Sequence, residues 1–474
     1  MDYHTRLAAA TLFVFAGSAA AQSGYETGEQ GMVTVPLGAH HTHQPIGWSA
    51  RGGAAPFGTI PDQTVELRRQ IGGLQIADID QDGNNDLVAV CYISNSFPPY
   101  EDWHDMIFFG TGSGINTTPG WISDVQTHTG DVQIGDLNGD GWTDIVTIHG
   151  SLRRDSVRAY FGGPAGMPTT PGYTSNTAET NWGTSGVLAD MDQDGDLDLV
   201  TTNQGVSPNP YRPILMFDNL GSTLTAASVW QSMDQSIQNG IDALDITGDG
   251  FPDLGVAKWV NFESGIYYNT TGTPDVFQSL YVGNTDTDKG AAFTDLEGDG
   301  SFELGIGGDP SHVYTTVHGA FFEVFEADPP FSGPQDLRFF DVDGDGDEDL
   351  AEIHFSDGRA HIYMNNAGVL DVQPTWTFDA SEVGNAMAFG DLNNDGFTDM
   401  ALGYAGNTCI RVFFGIPPEC FADLTGDGVL DIFDVFAFLD AFNAMDPSAD
   451  LTGDGVFDIF DVFAYLDIFS DGCA

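Results

Sequence analysis

"DVDGDGDED" (residues 341–349) places an Asp at every odd position of a nine-residue stretch and Gly at its sixth position. Five carboxylates this close repel one another strongly in water unless a cation lies between them. Ca²⁺ takes about six to eight oxygen ligands, and a tight loop with Gly at position 6 wraps the chain around the ion. The stretch therefore indicates a calcium loop, with a solvated acidic turn as the alternative.

The same loop occurs seven times, with Asp at positions 1 and 5 and Gly at position 6 in every copy. The copies begin 46 to 58 residues apart, at Asp78, Asp136, Asp190, Asp245, Asp295, Asp341 and Asp391. Position 3 is Asp80, Asn138, Asp192, Thr247, Glu297, Asp343 or Asn393. Position 5 is Asp82, Asp140, Asp194, Asp249, Asp299, Asp345 or Asp395. Position 7, which offers its backbone carbonyl, is Asn84, Trp142, Asp196, Phe251, Ser301, Asp347 or Phe397. Position 9 is Asp86, Asp144, Asp198, Asp253, Glu303, Asp349 or Asp399. These residues are the predicted ligands of seven Ca²⁺ sites.

Each loop lies in similar surroundings, as expected of a repeat architecture. A short β-rich segment precedes the loop, as at 337–340, and an apolar strand follows it, as at 145–148. A third strand ends in an aromatic and glycine pair, as at 160–163, and a fourth often carries Trp or Phe, as at 375–378. Four strands in each of seven repeats predict an all-β, seven-bladed β-propeller over residues 63–417.

The loops and their flanking strands resemble the FG-GAP (VCBS-type) repeat family of integrin α-subunit heads and many secreted bacterial proteins. This resemblance implies that each calcium lies at the turn between the first two strands of a blade. The last repeat lacks a fourth strand, and residues 64–68 lie about where a fourth strand lies before later loops. We therefore predict that this N-terminal strand completes the seventh blade. Cys91 and Cys409 would then fall in neighbouring blades, either as a disulfide or as two buried thiols.

The charge balance restricts the partners. The formal net charge is −57, from 70 acidic and 13 basic residues, which disfavours nucleic acid and anionic lipid as partners. The 41% hydrophobic content is too high for a disordered acidic chain.

Residues 1–21 have the pattern of a signal peptide, with a polar start, an apolar run at 7–16 and Ala19-Ala20-Ala21 before Gln22. The run is too short for a membrane span, and no later stretch approaches the necessary length. We therefore expect a secreted protein, extracellular or associated with a cell surface, with an N-terminal extension at 22–62.

A second kind of calcium loop follows the boundary at Pro417-Pro418, within residues 418–474. It is twelve residues long and feeds an apolar helix, and it recurs 27 residues later. This is the calcium-binding half of a helix–loop–helix hand, present twice. The first predicted ligand set is Asp423, Thr425, Asp427, Val429 through its carbonyl, Asp431 and Asp434. The second is Asp450, Thr452, Asp454, Val456 through its carbonyl, Asp458 and Asp461. Up to nine Ca²⁺ ions are thus expected in the whole chain.

The tandem pair resembles a type I dockerin of the "GC-type", a small all-α module that attaches extracellular proteins to cohesin-bearing scaffolds. The resemblance implies a cohesin-like scaffold partner and a Cys420–Cys473 disulfide that closes the module. Thr425 and Thr452 depart from the usual Asn or Asp. Where cellulosomal dockerins show a small polar pair to the cohesin, this chain has Ile432, Phe433, Ile459 and Phe460, either as core or as an apolar docking surface.

Two functions from different classes remain open. The first is an exported calcium-binding propeller that presents a surface to an unknown protein or glycan and is anchored by its dockerin. The second is a carbohydrate-active propeller enzyme, a lyase or glycosidase, within a polysaccharide-degrading complex. No nucleophile elbow, zinc-binding helix motif or P-loop is present, so no catalytic residue is assigned. The arginines Arg153, Arg154 and Arg158 form a cationic cluster. They would either bind the acidic substrate of a lyase or only offset the negative charge of the surface. A polar cluster with His or Tyr in the central funnel would favour the enzyme.

Overall fold

The computed structural model describes residues 55–92, 104–126, 128–149, 157–176, 183–204, 212–259, 262–282, 289–317, 320–327, 333–416, 424, 432–446, 449, 451 and 456–471. The predicted signal peptide, most of the N-terminal extension, Arg153 and Arg154 lie outside these residues.

The strands in chain order are β1 (Gln63–Val65), β2 (Arg69–Ala77), β3 (Asp86–Cys91), β4 (His104–Phe108), β5 (Trp121–Gln126), β6 (Thr129–Gly135), β7 (Asp144–His149), β8 (Arg158–Tyr160), β9 (Tyr173–Thr174), β10 (Gly183–Ala189), β11 (Asp198–Asn203), β12 (Leu215–Phe217), β13 (Trp230–Gln231), β14 (Ile237–Leu244), β15 (Asp253–Trp259), β16 (Gly265–Tyr267), β17 (Leu280–Tyr281), β18 (Gly290–Thr294), β19 (Glu303–Gly307), β20 (His312–Val317), β21 (Ala320–Glu326), β22 (Pro334–Phe340), β23 (Asp349–His354), β24 (Arg359–Tyr363), β25 (Trp376–Asp379), β26 (Val383–Gly390), β27 (Asp399–Gly406) and β28 (Ile410–Phe413). Two helices follow, α1 (Ile432–Asn443) and α2 (Ile459–Asp471).

Five sheets are separate four-stranded antiparallel meanders: β6–β9, β10–β13, β14–β17, β18–β21 and β22–β25. The remaining strands form one eight-stranded sheet in the order β1-β28-β27-β2-β3-β4-β5, with β26 paired to β27. This sheet joins the strands predicted for the first and seventh blades, because Arg69 and Gln70 pair with Gly406 and Ala405. The propeller-like fold is confirmed, whereas the described strands give five separate blades rather than the seven predicted.

We call each set of four strands that surrounds one predicted loop a group. The first strand of each group lies at the centre of the propeller. Strands β2, β6, β10, β14, β18, β22 and β26 contact one another in that order, and β26 returns to β2. The second strand of each group is buried along its length, as in β7 and β23. A strand covered on both faces reads as a continuous apolar run, which explains segments such as Leu87-Val88-Ala89-Val90.

The N-terminal strand closes the ring, as the sequence predicts. β1 pairs antiparallel with β28, with Thr64 opposite Arg411. The Val65 side chain is fully buried and packs with residues of β3, β4, β27 and β28 in one core cluster. The two ends of the ring are thus joined by main-chain hydrogen bonds and apolar packing.

The hydrophobic core lies between neighbouring sheets. One cluster, for example, combines Val146 and Ile148 of β7 with Leu199 of β11 and Phe217 of β12. At the C-terminus, α1 and α2 pack through Phe438 and Tyr465, whose rings stack with centroids 4.1 Å apart. Neither described helix combines the length and apolar character that crossing a bilayer would take.

Candidate calcium loops

All seven predicted loops connect the first strand of a group to the second. They span the residues between β2 and β3, β6 and β7, β10 and β11, β14 and β15, β18 and β19, β22 and β23, and β26 and β27. The loops therefore lie at the turn between the first two strands of a group, where the resemblance implies a calcium ion.

Position 1 organises the backbone of each loop. In every copy the N–H of the Gly at position 6 donates to Oδ2 of the position-1 Asp, over 2.7–3.0 Å. The N–H of position 7 likewise donates to Oδ1 of the position-5 Asp, over 2.8–3.1 Å. These bonds fold the chain around the carboxylates, while the predicted use of the position-7 carbonyl as a ligand stays a prediction.

Two positions of each loop have left-handed backbone. The position-6 glycines have φ between 83° and 96°, and position 4 has φ between 59° and 79°. Gly, Asn and Gln occupy position 4, as in Gly139, Asn394 and Gln81. Sequence reasoning missed position 4, although Gly in four of the seven copies is a usable signal of left-handed backbone.

Carboxylate oxygens converge in three loops. One oxygen from each of three residues lies within 4.8 Å of the other two in the sets Asp78, Asp80 and Asp86; Asp190, Asp192 and Asp194; and Asp341, Asp343 and Asp349. Ca²⁺ binds oxygens at about 2.3–2.6 Å, so oxygens on opposite sides of one ion lie about 5 Å apart. The convergence fits a calcium ion.

The other four loops have Asn138, Thr247, Glu297 or Asn393 at position 3. Among the described residues, no three carboxylates of these loops approach so closely. Their position-1 and position-5 carboxylates still occupy the same hydrogen-bonded frame.

Position 9 has a role that the sequence did not reveal. Its carboxylate is at most 1% exposed in every copy. In loop 136–144, Asp144 Oδ2 accepts the Leu137 N–H (2.9 Å) and Oδ1 accepts the Gly162 N–H at the end of the third strand (2.8 Å). Each carboxylate oxygen has a second lone pair, so this residue can join the loop to the sheet and still coordinate an ion.

Burial dominates the electrostatics of position 9. It raises the pKa of Asp144 and Asp399 to about 7, even though each carboxylate accepts backbone N–H groups that favour the ionised form. Nearby carboxylates at positions 1 and 5 raise these pKa values further. A divalent cation among these groups would favour their ionised forms.

Hydrogen bonds link loops of neighbouring groups. Gln81 Nε2 donates to the Gly141 carbonyl over 2.6 Å, and Asn85 Nδ2 donates to the Asp391 carbonyl over 2.7 Å. Thr398 Oγ1 donates to the Asp341 carbonyl over 3.2 Å. The loops of neighbouring groups therefore lie side by side.

The C-terminal loops lie mostly outside the described residues, as do Cys420 and Cys473. Four of their predicted ligands are described, namely Asp434, Val456, Asp458 and Asp461. Asp461 Oδ2 accepts the Asp458 N–H over 2.9 Å, and both Asp434 and Asp461 are buried.

The structure favours one of the two alternatives for the apolar pairs. Ile432, Phe433, Ile459 and Phe460 are 53–64% exposed, so they are surface rather than core. Each helix continues the same apolar face, through Phe436 and Leu439 in α1 and through Phe463 and Leu466 in α2.

Of the two alternatives for Cys91 and Cys409, the structure has the buried thiols rather than the disulfide. Both residues are buried thiols that belong to one core cluster without a disulfide between them. Cys409 Sγ is directed to the Val65 carbonyl, 3.7 Å away, and burial raises the pKa of this thiol to about 12. A thiol with so little thiolate is a poor partner for disulfide formation.

The central channel is polar and narrow. It is lined by the first strands and encloses about 70 Å³, room for about two water molecules. Asp131, Asp242 and Asp336 each accept an N–H from the first strand of the next group, and Arg338 Nε donates to Asp336 over 3.1 Å. Within the described residues the lining contains neither His nor Tyr. Arg158 lies in β8, not in this lining.

Comparisons with known proteins agree with this fold. The FG-GAP-like repeat family matches residues 136–201 and 332–402. A crystal structure of BBS1N in complex with ARL6DN, soaked with lead, has 13% identity and a TM-score of 0.51, covering 77% of this chain and 98% of that one. The same complex soaked with mercury has 14% identity and a TM-score of 0.51, covering 76% and 97%. No curated protein matches the chain. These similarities concern the fold alone, and they show FG-GAP-like repeats in a β-propeller arrangement.

Proposed function

We propose that this protein is a calcium-bound β-propeller that presents a binding surface to a protein or glycan and is held on an extracellular scaffold by its C-terminal helix pair. The observation that carries the calcium part is the common loop frame, in which three loops bring three carboxylate oxygens within 4.8 Å of one another.

Calcium would act on stability. Without cations, each loop holds several like charges beside a buried carboxylate, and the loops of neighbouring groups adjoin. An ion at each loop offsets this repulsion. Its binding to the folded state adds RT ln(1 + [L]/Kd) to the free energy of unfolding, about 2.7 kcal/mol per site when the calcium concentration is one hundred times Kd. Positions 1, 3, 5 and 9 would supply the carboxylate or amide oxygens, and position 7 its carbonyl.

Removing calcium tests this part. Thermal unfolding of the full chain in excess EGTA should begin many degrees below unfolding in millimolar Ca²⁺. Asp343→Ala, in a converging loop, should reduce the calcium-dependent stabilisation, while the exposed Asp371→Ala should leave it unchanged. Identical melting curves with and without EGTA would overturn the calcium assignment.

We also propose that the eight-stranded sheet is functionally two blades, which makes seven. Only two residue pairs join β2 to β27, whereas β26–β28 with β1 and β2–β5 each form a four-stranded meander. The seven first strands in cyclic contact support this count.

Attachment would use the exposed apolar faces of α1 and α2. The two faces are equivalent in spacing and in residue type, so a cohesin-like partner could bind either one. Phe433→Asp alone should leave binding through α2, and Phe460→Asp alone should leave binding through α1. The double variant should abolish capture of a cohesin domain, while Met445→Asp, exposed beyond α1, should bind normally. Full binding by the double variant would contradict this proposal.

The propeller surface itself would bind a protein or glycan. The similar structures are complexes of BBS1N with ARL6DN, so proteins of this fold do bind partners. Export by the signal peptide at 1–21 belongs to the same proposal, since Ca²⁺ is available outside cells. No specific observation favours the enzyme alternative, because the described channel lining carries no His or Tyr.

A further inference from the structure

A second kind of metal-ligand cluster lies in the sheet β22–β25, away from the calcium loops. Glu352 and His354 are two residues apart on β23, so their side chains leave the same face of the strand. His361 on β24 is the direct cross-strand partner of Glu352. Three potential ligands therefore meet on one face of two adjacent strands.

The ligand atoms are close enough to share an ion. One atom from each of the three residues lies within 4.8 Å of the other two. His354 Nε2 and Glu352 Oε1 are 3.0 Å apart. Two ligand atoms on a tetrahedral Zn²⁺ with bonds of about 2.0–2.1 Å lie about 3.3 Å apart, so only a small movement is needed.

Surrounding groups fix the orientation of these side chains. Ser311 Oγ donates to Glu352 Oε2 over 2.6 Å, and Tyr363 Oη donates to Glu352 Oε1 over 3.1 Å. His361 Nδ1 lies 3.0 Å from Thr377 Oγ1, so we assign Nε2 as its ligand atom. Such second-layer hydrogen bonds are typical of metal-binding histidines and carboxylates.

The three side chains are shielded from water. Glu352, His354 and His361 are each about 1% exposed, so an ion among them would lie inside the protein.

The repeat itself does not require these residues. The equivalent positions of the sheet β6–β9 are Thr147, His149 and Arg158, because Thr147 pairs with Arg158 as Glu352 pairs with His361. His149 is as buried as His354, and Thr147 Oγ1 lies 2.9 Å from its Nε2. This sheet therefore provides a matched control without the carboxylate and the second imidazole.

We propose that Glu352, His354 and His361 bind one borderline divalent transition-metal ion, of which Zn²⁺ is the representative. Two imidazoles and one carboxylate suit Zn²⁺ or Co²⁺, whereas Ca²⁺ prefers oxygen ligands throughout. Ser311 and Tyr363 hydrogen-bond to Glu352, and the burial of all three ligands would slow exchange of the ion. It would tie β23 to β24 beside the neighbouring sheet, which contributes Ser311.

Metal titration of the chelator-stripped full chain tests the proposal. Millimolar Ca²⁺ is kept present so that the acidic loops are occupied by the ion they prefer. One equivalent of Zn²⁺ per chain should bind despite the Ca²⁺, and we call it the calcium-resistant equivalent. Co²⁺ at the same site should give the visible absorption of a tetrahedral site with nitrogen and oxygen ligands. His361→Gln, chosen to preserve volume and polarity, should lose this equivalent and the Co²⁺ spectrum. Thr377→Val should weaken Zn²⁺ binding by about 10-fold or more.

Two controls separate this site from other sources of zinc binding. His149→Gln should bind Zn²⁺ like the unaltered chain. The N-terminal extension carries three closely spaced histidines, so the triple variant His40→Ala, His41→Ala, His43→Ala should also bind Zn²⁺ like the unaltered chain. Circular dichroism confirms that each variant is folded. Absence of a calcium-resistant equivalent would overturn the proposal, as would an equivalent that survives His361→Gln or disappears in the triple variant.

Discussion

Replacing Asp399 by Asn should destabilise the propeller by about 2–4 kcal/mol, because its buried carboxylate accepts three backbone hydrogen bonds. Oδ2 accepts the N–H groups of Leu392 (2.7 Å) and Asn393 (3.2 Å), and Oδ1 accepts that of Gly415 (2.8 Å). An amide has one acceptor oxygen, and its NH₂ group must face one of these donors. Each buried N–H left without an acceptor costs about 1–3 kcal/mol, and a bond to a charged group is worth about 1.5–3 kcal/mol.

Thermal unfolding followed by circular dichroism measures this effect. We expect Tm to fall by roughly 3–5 °C, from an unfolding entropy of about 2.1 cal/mol/K per residue over some 350 residues. The drop should appear in Ca²⁺ and in EGTA alike, since the three hydrogen bonds need no ion. The exposed Asp371→Asn should change stability by less than about 0.5 kcal/mol. A drop seen in Ca²⁺ but absent in EGTA would refute the reasoning, because Asp399 would then act only as a ligand.

Three further predictions concern protonation, ring closure and loop backbone. In EGTA, the free energy of unfolding should fall as pH rises from about 4 to about 7. Burial raises the folded-state pKa of position-9 carboxyls such as Asp144 to about 7, so over this range the folded state binds more protons than the unfolded state. Urea unfolding at several pH values checks this, and a rise in stability over that range would contradict it. Val65→Ala should cost about 2 kcal/mol by leaving a cavity in the closing seam, while the exposed Val369→Ala should be near neutral in the same assay. Gly396→Ala should cost about 1–2 kcal/mol from backbone strain alone, since φ is 88° and a Cβ would meet no atom within 4 Å. Gly163→Ala is the control, because its Cβ would have equally open space without a positive φ. Equal stability of the two variants would show that strain is unimportant.

The sequence predicted those features that a short segment determines by itself. A loop with Asp at positions 1 and 5 and Gly at position 6 needs only nine residues to form its hydrogen-bond frame, so both its location and its neighbours could be predicted. The pairing of the strand at 64–68 with the last repeat also followed, because every other repeat has four strands.

Features that depend on side-chain direction across strands could not be predicted. The position-9 carboxylate reaches the end of the third strand, as Asp144 reaches Gly162, and nothing in a nine-residue pattern indicates that contact. Glu352 and His361 become neighbours only through strand register. Cys91 and Cys409 do share a core cluster, but adjacency does not orient two sulfurs toward each other.

Pairing between β1 and β28 has a consequence for biosynthesis. Val65 and Ile410 are register partners although some 340 residues separate them, so β1 is synthesised long before the strand with which it pairs. Until then, the nascent chain has folded four-stranded sheets while the backbone N–H and C=O groups of β1 are unpaired. Such an exposed strand edge can pair with another chain and cause aggregation. The dense negative charge of the repeats would keep such incomplete chains apart by mutual repulsion. The carboxylates that repel one another in the folded propeller would therefore protect the nascent chain from aggregation.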